Sequence, residues 1–81
     1  MNRSELQLVL DEKGIRPRSY SLTGGSPSES YCIERSNGGW AVYYAERGNR
    51  NSEKWFVSED EACDHLLQWI LGDPTTHTRP T

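Results

Sequence analysis

The dipeptide Asn37-Gly38 constrains the fold of this chain most, because it separates two runs in which large apolar side chains alternate with other residues. Both of its residues tolerate positive φ, so the pair favours the two-residue turn of an antiparallel hairpin. We therefore expect strands over residues 30–35 and 40–45. The stretch from residue 30 to residue 57 holds six of the eight aromatic side chains of the chain, which gives a small sheet large apolar surfaces to bury.

A two-residue turn fixes the cross-strand pairs as Arg35 with Trp40, Ile33 with Val42, and Tyr31 with Tyr44. One strongly apolar face follows, consisting of Tyr31, Ile33, Trp40, Val42 and Tyr44. The opposite face is mixed and consists of Cys32, Glu34, Ala41, Tyr43 and Ala45. A sheet of this kind covers its apolar side with helices and can show the other side to solvent or to a partner. The extra Gly39 would also allow a three-residue turn, which slips the register by one.

Residues 48–51 predict a second turn, and residues 53–57 a third strand. A four-residue loop places Trp55 beside Tyr44 on the core face and Phe56 beside Tyr43 on the mixed face. Two exposed aromatic rings could form a contact patch, because aromatic clusters are enriched at interfaces. The first helix, a loop or a second copy of the chain could equally cover them.

Two helices flank the predicted sheet. Ser4 can cap the first, which we expect to run from Glu5 to about Lys13 and to end at Gly14. The second begins with the capping box of residues 58–61, runs to Leu71 and ends at Gly72.

The expected fold is therefore α+β, with a three-stranded antiparallel β-meander and both helices packed on one face, in the order α-β-β-β-α. Residues 1–72 form a single domain, since a chain of 81 residues can build only one thin core. Residues 15–22 are expected to be an extended connection, because Pro17 disfavours helix before it. Residues 23–28 form an irregular loop without the lysine of a phosphate-binding loop. Residues 73–81 are expected to be a flexible C-terminal tail.

Composition limits the partners. Twelve acidic against nine basic residues give a net charge of −3, which argues against nucleic acid and anionic membranes and suits a basic protein. No apolar stretch reaches the roughly 18 to 20 residues of a membrane span, so a cytoplasmic location is expected. Cys32 and Cys63 are expected to be buried free thiols. The chain has no close pairs of cysteine or histidine ligands, and neither a metal nor a cofactor is expected.

Catalytic residue types occur without a catalytic arrangement. Cys63, Asp64 and His65 are consecutive, but adjacent helical side chains point about 100 degrees apart and cannot act together as nucleophile and base. Carboxylates on the predicted sheet would need a substrate cleft that a domain this small hardly encloses. We therefore expect the chain not to be an enzyme.

The order helix, meander, capped helix resembles that of small bacterial proteins encoded beside polymorphic and Rhs-type secreted toxins. The resemblance spans about residues 5 to 71, and the segments that carry it are residues 31–34, 39–48 and 58–63. In that group the neighbour is a cognate immunity protein, and the nearest association is with immunity proteins of NAD(P)-degrading toxins of the tuberculosis-necrotizing-toxin type. The resemblance implies a protein that binds the toxin tightly, blocks its active site and catalyses no reaction.

A toxin-binding surface is expected to be rigid and charged. The predicted contact residues are those of the turns and strand edges, together with two acidic helix residues: Tyr43, Glu46, Arg47, Asn49, Arg50, Trp55, Asp60 and Asp64. The free protein is expected to be a monomer. Two alternatives stay open, a homodimeric adaptor that pairs through a sheet edge or the mixed face, and a small-molecule sensor.

Overall fold

The computed structural model describes residues 1–25 and 29–76, and it has an α+β architecture. It contains two helices and a four-stranded sheet. In chain order the elements are α1 (Arg3–Glu12), β1 (Tyr20–Ser21), β2 (Ser30–Ser36), β3 (Gly39–Glu46), β4 (Asn49–Phe56) and α2 (Glu59–Leu71). Two short 3-10 turns cover Pro17–Ser19 and Pro74–Thr76. Residues 26–28 of the predicted loop and 77–81 of the predicted tail lie outside the described residues.

The first hairpin has the predicted register. Asn37 and Gly38 both have positive φ, 49° and 77°, so the two-residue turn forms and Gly39 belongs to β3. The predicted pairs are confirmed, namely Arg35 with Trp40, Ile33 with Val42 and Tyr31 with Tyr44. The first face of the sheet therefore carries the predicted apolar side chains, and the second face carries Cys32, Ala41, Tyr43 and Ala45.

The sheet has one strand more than predicted. Its order is β1-β2-β3-β4, and β1 pairs with β2 in parallel, whereas the other pairs are antiparallel. The expectation of three antiparallel strands is wrong in this respect. Tyr20 explains the addition, because its ring is buried in the core while its hydroxyl accepts from Gln7 Nε2 at 2.6 Å. This anchor holds the predicted extended connection against the free edge of β2.

The second hairpin differs from the prediction. Its turn is Arg47-Gly48, with φ of 51° and 82°, so β4 begins four residues before the predicted strand. A β-bulge then interrupts the β3–β4 ladder, since Tyr44 pairs with Asn51 but Val42 pairs with Lys54.

The bulge determines which face each β4 side chain occupies. The two-residue turn alone would move Trp55 from its predicted position opposite Tyr44 to a position opposite Trp40. Because this shift is an even number of residues, Trp55 would still lie on the first face. The one extra residue reverses the alternation, since successive strand side chains point to opposite sides. Trp55 therefore pairs with Ala41 on the second face, and Phe56 pairs with Trp40 on the first. The predicted positions of these two rings were wrong.

Both helices pack on the first face, as predicted. The main core joins one apolar stripe from each helix to the sheet, and it consists of Leu6, Leu10, Ile15, Tyr20, Tyr31, Ile33, Trp40, Val42, Ala62, Cys63, Leu66, Leu67 and Ile70. Arg3 also lies over this core, with its guanidinium carbon 4.8 Å from the centroid of the Trp40 ring.

The N-terminal cap of α1 is Asn2 and not Ser4. The Asn2 side chain accepts from the Glu5 amide at 2.8 Å, and the Asn2 amide donates to the Glu5 carboxylate at 2.9 Å. This reciprocal pair is a capping box, which satisfies two amides that the first turn of a helix leaves free. The chain leaves α1 at Gly14, whose φ of 69° is the expected left-handed conformation.

The helix α2 begins and ends where predicted, but the Glu61 carboxylate accepts from the Ser58 hydroxyl at 3.1 Å and not from the Ser58 amide that the predicted capping box uses. Ser58 caps it by accepting from the Glu61 amide, and the helix ends before Gly72. Residues 73–76, which we placed in the tail, pack on the domain. Asp73 accepts from the Tyr31 hydroxyl at 2.8 Å, and the Thr76 carbonyl accepts from the Arg16 amide at 2.7 Å.

The capping assignment predicts a difference between two neighbouring substitutions. Asn2→Ala should lower the free energy of unfolding by about 1 kcal/mol, because it removes the side-chain oxygen that accepts from the Glu5 amide. Ser4→Ala, the matched control at the cap expected from sequence, should change it by less than about 0.5 kcal/mol. Urea unfolding followed by circular dichroism measures both, and a larger loss for Ser4→Ala would contradict the assignment.

Candidate functional site

The second face of the sheet has a small core of its own. Cys32, Ala41, Tyr43 and Ala45 are buried there, and Tyr43 has no exposed surface. The predicted exposed pair of Tyr43 and Phe56 is therefore wrong. The bulge moves Phe56 to the other face, and long charged side chains cover the Tyr43 ring.

These charged side chains form one connected group, the Tyr43 cluster, which we define as Glu34, Tyr43, Arg50 and Glu53. The Tyr43 hydroxyl donates to Glu34 Oε1 at 2.6 Å. The Arg50 guanidinium lies 4.2 Å from the centroid of the Tyr43 ring, where it donates to both carboxylate oxygens of Glu34 and to Glu53. A cation over an aromatic ring is attracted by the ring quadrupole, so Arg50 both covers and binds the ring.

Glu34 is also held from the loop that follows β1. A Cβ atom added at Gly24 would lie 2.6 Å from the Cβ atom of Glu34, so the backbone passes against this side chain. A hydrogen bond from the Gly25 backbone reaches the carboxylate as well. Contacts from three directions fix the orientation of Glu34.

These contacts favour the ionised form of Glu34. The Tyr43 hydroxyl, followed by Arg50, holds the pKa of Glu34 below its usual value, although partial burial acts in the opposite direction. Hydrogen bonds to a carboxylate stabilise its charged form. Glu34 is therefore held in the charged form that pairs with Arg50.

Trp55 lies at the border of the second face and is 52% exposed. Its ring rests on Gly39, where an added Cβ atom would lie 2.6 Å from the Phe56 carbonyl oxygen and closer still to the indole. The indole N–H donates to the Ser36 carbonyl at 3.1 Å. One side of the ring is thus fixed to the first hairpin, while the other side faces solvent.

The structure divides the eight predicted contact residues into two groups. Six belong to the β3–β4 hairpin, namely Tyr43, Glu46, Arg47, Asn49, Arg50 and Trp55. Asp60 and Asp64 are exposed on α2, which packs on the first face of the sheet, and Asp60 forms an ion pair with the Met1 amino group. The eight residues therefore do not form one continuous patch.

The cysteines are buried free thiols, as predicted. Burial raises the pKa of Cys63 to about 11, so the thiolate form, which is the nucleophile, is scarce at neutral pH. His65 lies outside the core, with its ring centroid 5.2 Å from that of Phe56 and 5.8 Å from that of Trp69. Cys63 and His65 thus occupy different environments on α2.

Two of the surface hollows among the described residues include side chains of the β3–β4 hairpin. The larger, of about 920 Å³, is lined by arginines and an acid together, and its residues are Arg16, Pro17, Arg18, Ser19, Glu29, Tyr44 and Thr75. The smaller, of about 430 Å³, lies between β4 and α2 and is lined by Ser52, Lys54, His65, Gln68 and Trp69. We call the smaller one the Lys54–His65 groove. The sequence did not predict this groove, because Lys54 lies on the same side of the sheet as α2 only as a result of the β-bulge.

Within residues 1–25 and 29–76, no three His, Cys, Asp or Glu side chains are grouped in a way that could hold a metal ion. No helix in the same part of the chain combines the length and the apolar character that crossing a membrane requires.

Comparison of the chain with protein-family models, with curated proteins and with solved structures gave no match.

The Tyr43 cluster predicts a pH-dependent contribution to stability. Because the folded-state pKa of Glu34 is lowered, its charge stabilises the folded chain above the unfolded-state pKa, and this contribution is lost as the pH falls through the folded-state pKa. The difference in unfolding free energy between the wild type and Glu34→Gln should therefore shrink between about pH 5 and pH 3. Urea unfolding at a series of pH values measures it, since groups common to both proteins cancel. A difference that is constant with pH would contradict the role of this charge.

Proposed function

We propose that this chain is an immunity protein, which binds a cognate secreted bacterial toxin of the polymorphic or Rhs type and inhibits it by covering its active site. The toxin class that the sequence resemblance suggests is an NAD(P)-degrading enzyme of the tuberculosis-necrotizing-toxin type. The observation that supports a binding role best is the half-exposed and immobilised ring of Trp55.

Trp55 has the properties of a binding anchor. Tryptophan is among the residues most enriched at the energetic centres of protein interfaces. The contact with Gly39 and the hydrogen bond to Ser36 hold this ring in one orientation before a partner arrives. Little side-chain entropy is then lost on binding, which favours tight complexes.

The surface beside Trp55 is also ordered. Arg50 is fixed by Glu34 and Glu53, with donor–acceptor distances of 3.0 to 3.1 Å. Glu46 and Asn49 pair with each other on either side of the Arg47-Gly48 turn, at the end of the same hairpin. We propose this hairpin as the principal contact surface for the toxin, with Tyr43 supporting it from below.

Charge complements this arrangement. The chain has a net charge of −3, and the acidic first turn of α2, at Glu59, Asp60 and Glu61, adds to a field that attracts a basic partner. Opposite charge on two proteins accelerates their encounter, and the effect weakens with salt. Asp60 and Asp64 would act in this long-range manner, or contact a part of the toxin that reaches beyond the hairpin.

The anchor role of Trp55 predicts the effect of removing it. Trp55→Ala should weaken binding to the toxin domain encoded by the neighbouring gene by about 2 kcal/mol, which is about thirtyfold in Kd. Leu8→Ala is the matched control, because Leu8 is 68% exposed on α1 and lies away from the hairpin, and it should leave the Kd within about twofold. Isothermal titration calorimetry measures both affinities.

The titration tests the proposed function and the proposed contact surface separately. Absence of any complex between the wild-type chain and that toxin would overturn the proposed function. Tight binding that survives Trp55→Ala would keep the function and reject the hairpin as its contact surface. Circular dichroism checks that the Trp55→Ala variant is folded. Weaker binding by a folded variant would then be due to the missing indole ring.

A homodimeric adaptor is the second candidate, and the exposed edge of the sheet favours it. The strand β4 lies at the end of the sheet, and seven of its eight residues are exposed. Edge strands carry backbone groups that can pair with another chain. Light scattering of the isolated protein distinguishes the candidates, since a stable homodimer supports the adaptor and a monomer supports an inhibitor of a foreign partner.

A further inference from the structure

The Lys54–His65 groove is a separate site, because it opens on the side of β4 that faces α2, whereas Trp55 lies on the second face. The walls of this groove come from two elements that pack together, with Ser52 and Lys54 on β4 and the remaining residues on α2. Its volume of about 430 Å³ falls within the range of about 300 to 1,000 Å³ that small-molecule sites occupy. It is therefore large enough for a small ring with one substituent.

The charge of the groove has one sign. Among the residues that the structure describes, its lining contains Lys54 and His65 and no carboxylate. Burial, and after it the positive charge of Lys54, lowers the pKa of His65. An anion placed between the Lys54 ammonium group and the His65 ring would offset the repulsion between Lys54 and the protonated imidazole. The neighbouring Ser52 hydroxyl and Gln68 amide supply further hydrogen-bond donors.

The remaining wall is aromatic and consists of His65 and Trp69. Their ring centroids lie 5.8 Å apart, and the two rings are tilted by 47° against each other. Trp69 is itself packed against Tyr31, at a centroid distance of 4.8 Å in an edge-to-face arrangement. The Trp69 ring therefore offers an apolar surface against which another ring can pack.

We propose that the Lys54–His65 groove binds a small carboxylate that carries a flat aromatic group, with the carboxylate beside Lys54 and His65 and the ring against Trp69. The ligand is a free small molecule. The site is independent of the proposed toxin contact, because neither Trp55 nor the Tyr43 cluster lines it.

An NMR titration of the full chain with sodium benzoate tests the site. Benzoate should shift the His65 and Trp69 resonances with saturation, and it should raise the pKa of His65, because a bound anion favours the imidazolium. Binding should in turn tighten as the pH is lowered from about 8 to about 5. Benzyl alcohol, which keeps the ring without the charge, and acetate, which keeps the charge without the ring, should each bind more weakly.

Two lysine variants supply a matched pair, since Lys13 and Lys54 are both exposed lysines. Lys54→Met should weaken benzoate binding about fivefold, and Lys13→Met should leave it unchanged. Equal weakening in both variants, equal binding of benzyl alcohol, or no saturable shift with benzoate would each overturn the proposal. None of these results depends on whether the toxin complex forms.

Discussion

The β-bulge opposite Tyr43 is the constraint on which the rest of the molecule depends. Between the pairs Tyr44 with Asn51 and Val42 with Lys54, the two residues Ser52 and Glu53 oppose one residue of β3. Ser52 has a φ of 55°, which is uncommon for a residue with a side chain. Every β4 side chain beyond this point changes face as a result. Phe56 joins the main core, Lys54 lies beside α2, and Trp55 joins the second face.

The second face shows how a short chain can bury an aromatic ring without a third layer. In the described residues both helices pack on the first face, and Tyr43 is nonetheless fully buried. Glu34 and Arg50 provide the cover, since each pairs with the other and both contact Tyr43. Long charged side chains can cover apolar surface along their stems while their heads stay hydrated. The cover is polar on its outer side, so the second face can stay in contact with water.

The parts of the fold that local chemistry determines could be predicted from the sequence. Asn37-Gly38 fixed the first hairpin and its register, because few dipeptides adopt two positive φ angles, and Ser58 fixed the start of α2. The errors arose where local signals compete or where distant contacts decide. Asn2 and Ser4 are both good caps, and each has a capping-box partner three positions later, Glu5 and Gln7, so the sequence alone does not choose between them. Neither the bulge at Ser52 nor the pairing of β1 has a distinctive sequence pattern, since each depends on packing against residues far along the chain. For the same reason the Lys54–His65 groove was missed, and Trp55, although named among the predicted contact residues, was placed on the wrong face.

The contact between Gly39 and Trp55 couples two positions that are far apart in the sequence. The indole occupies the space that any side chain at position 39 would need, so each position restricts the other. In related sequences the two should therefore change together, with glycine kept wherever the tryptophan is kept and larger residues admitted only where the ring has been lost. The β4 strand and the first hairpin would then evolve as one unit, and a replacement of Trp55 would be accompanied by a change in the strand beneath it.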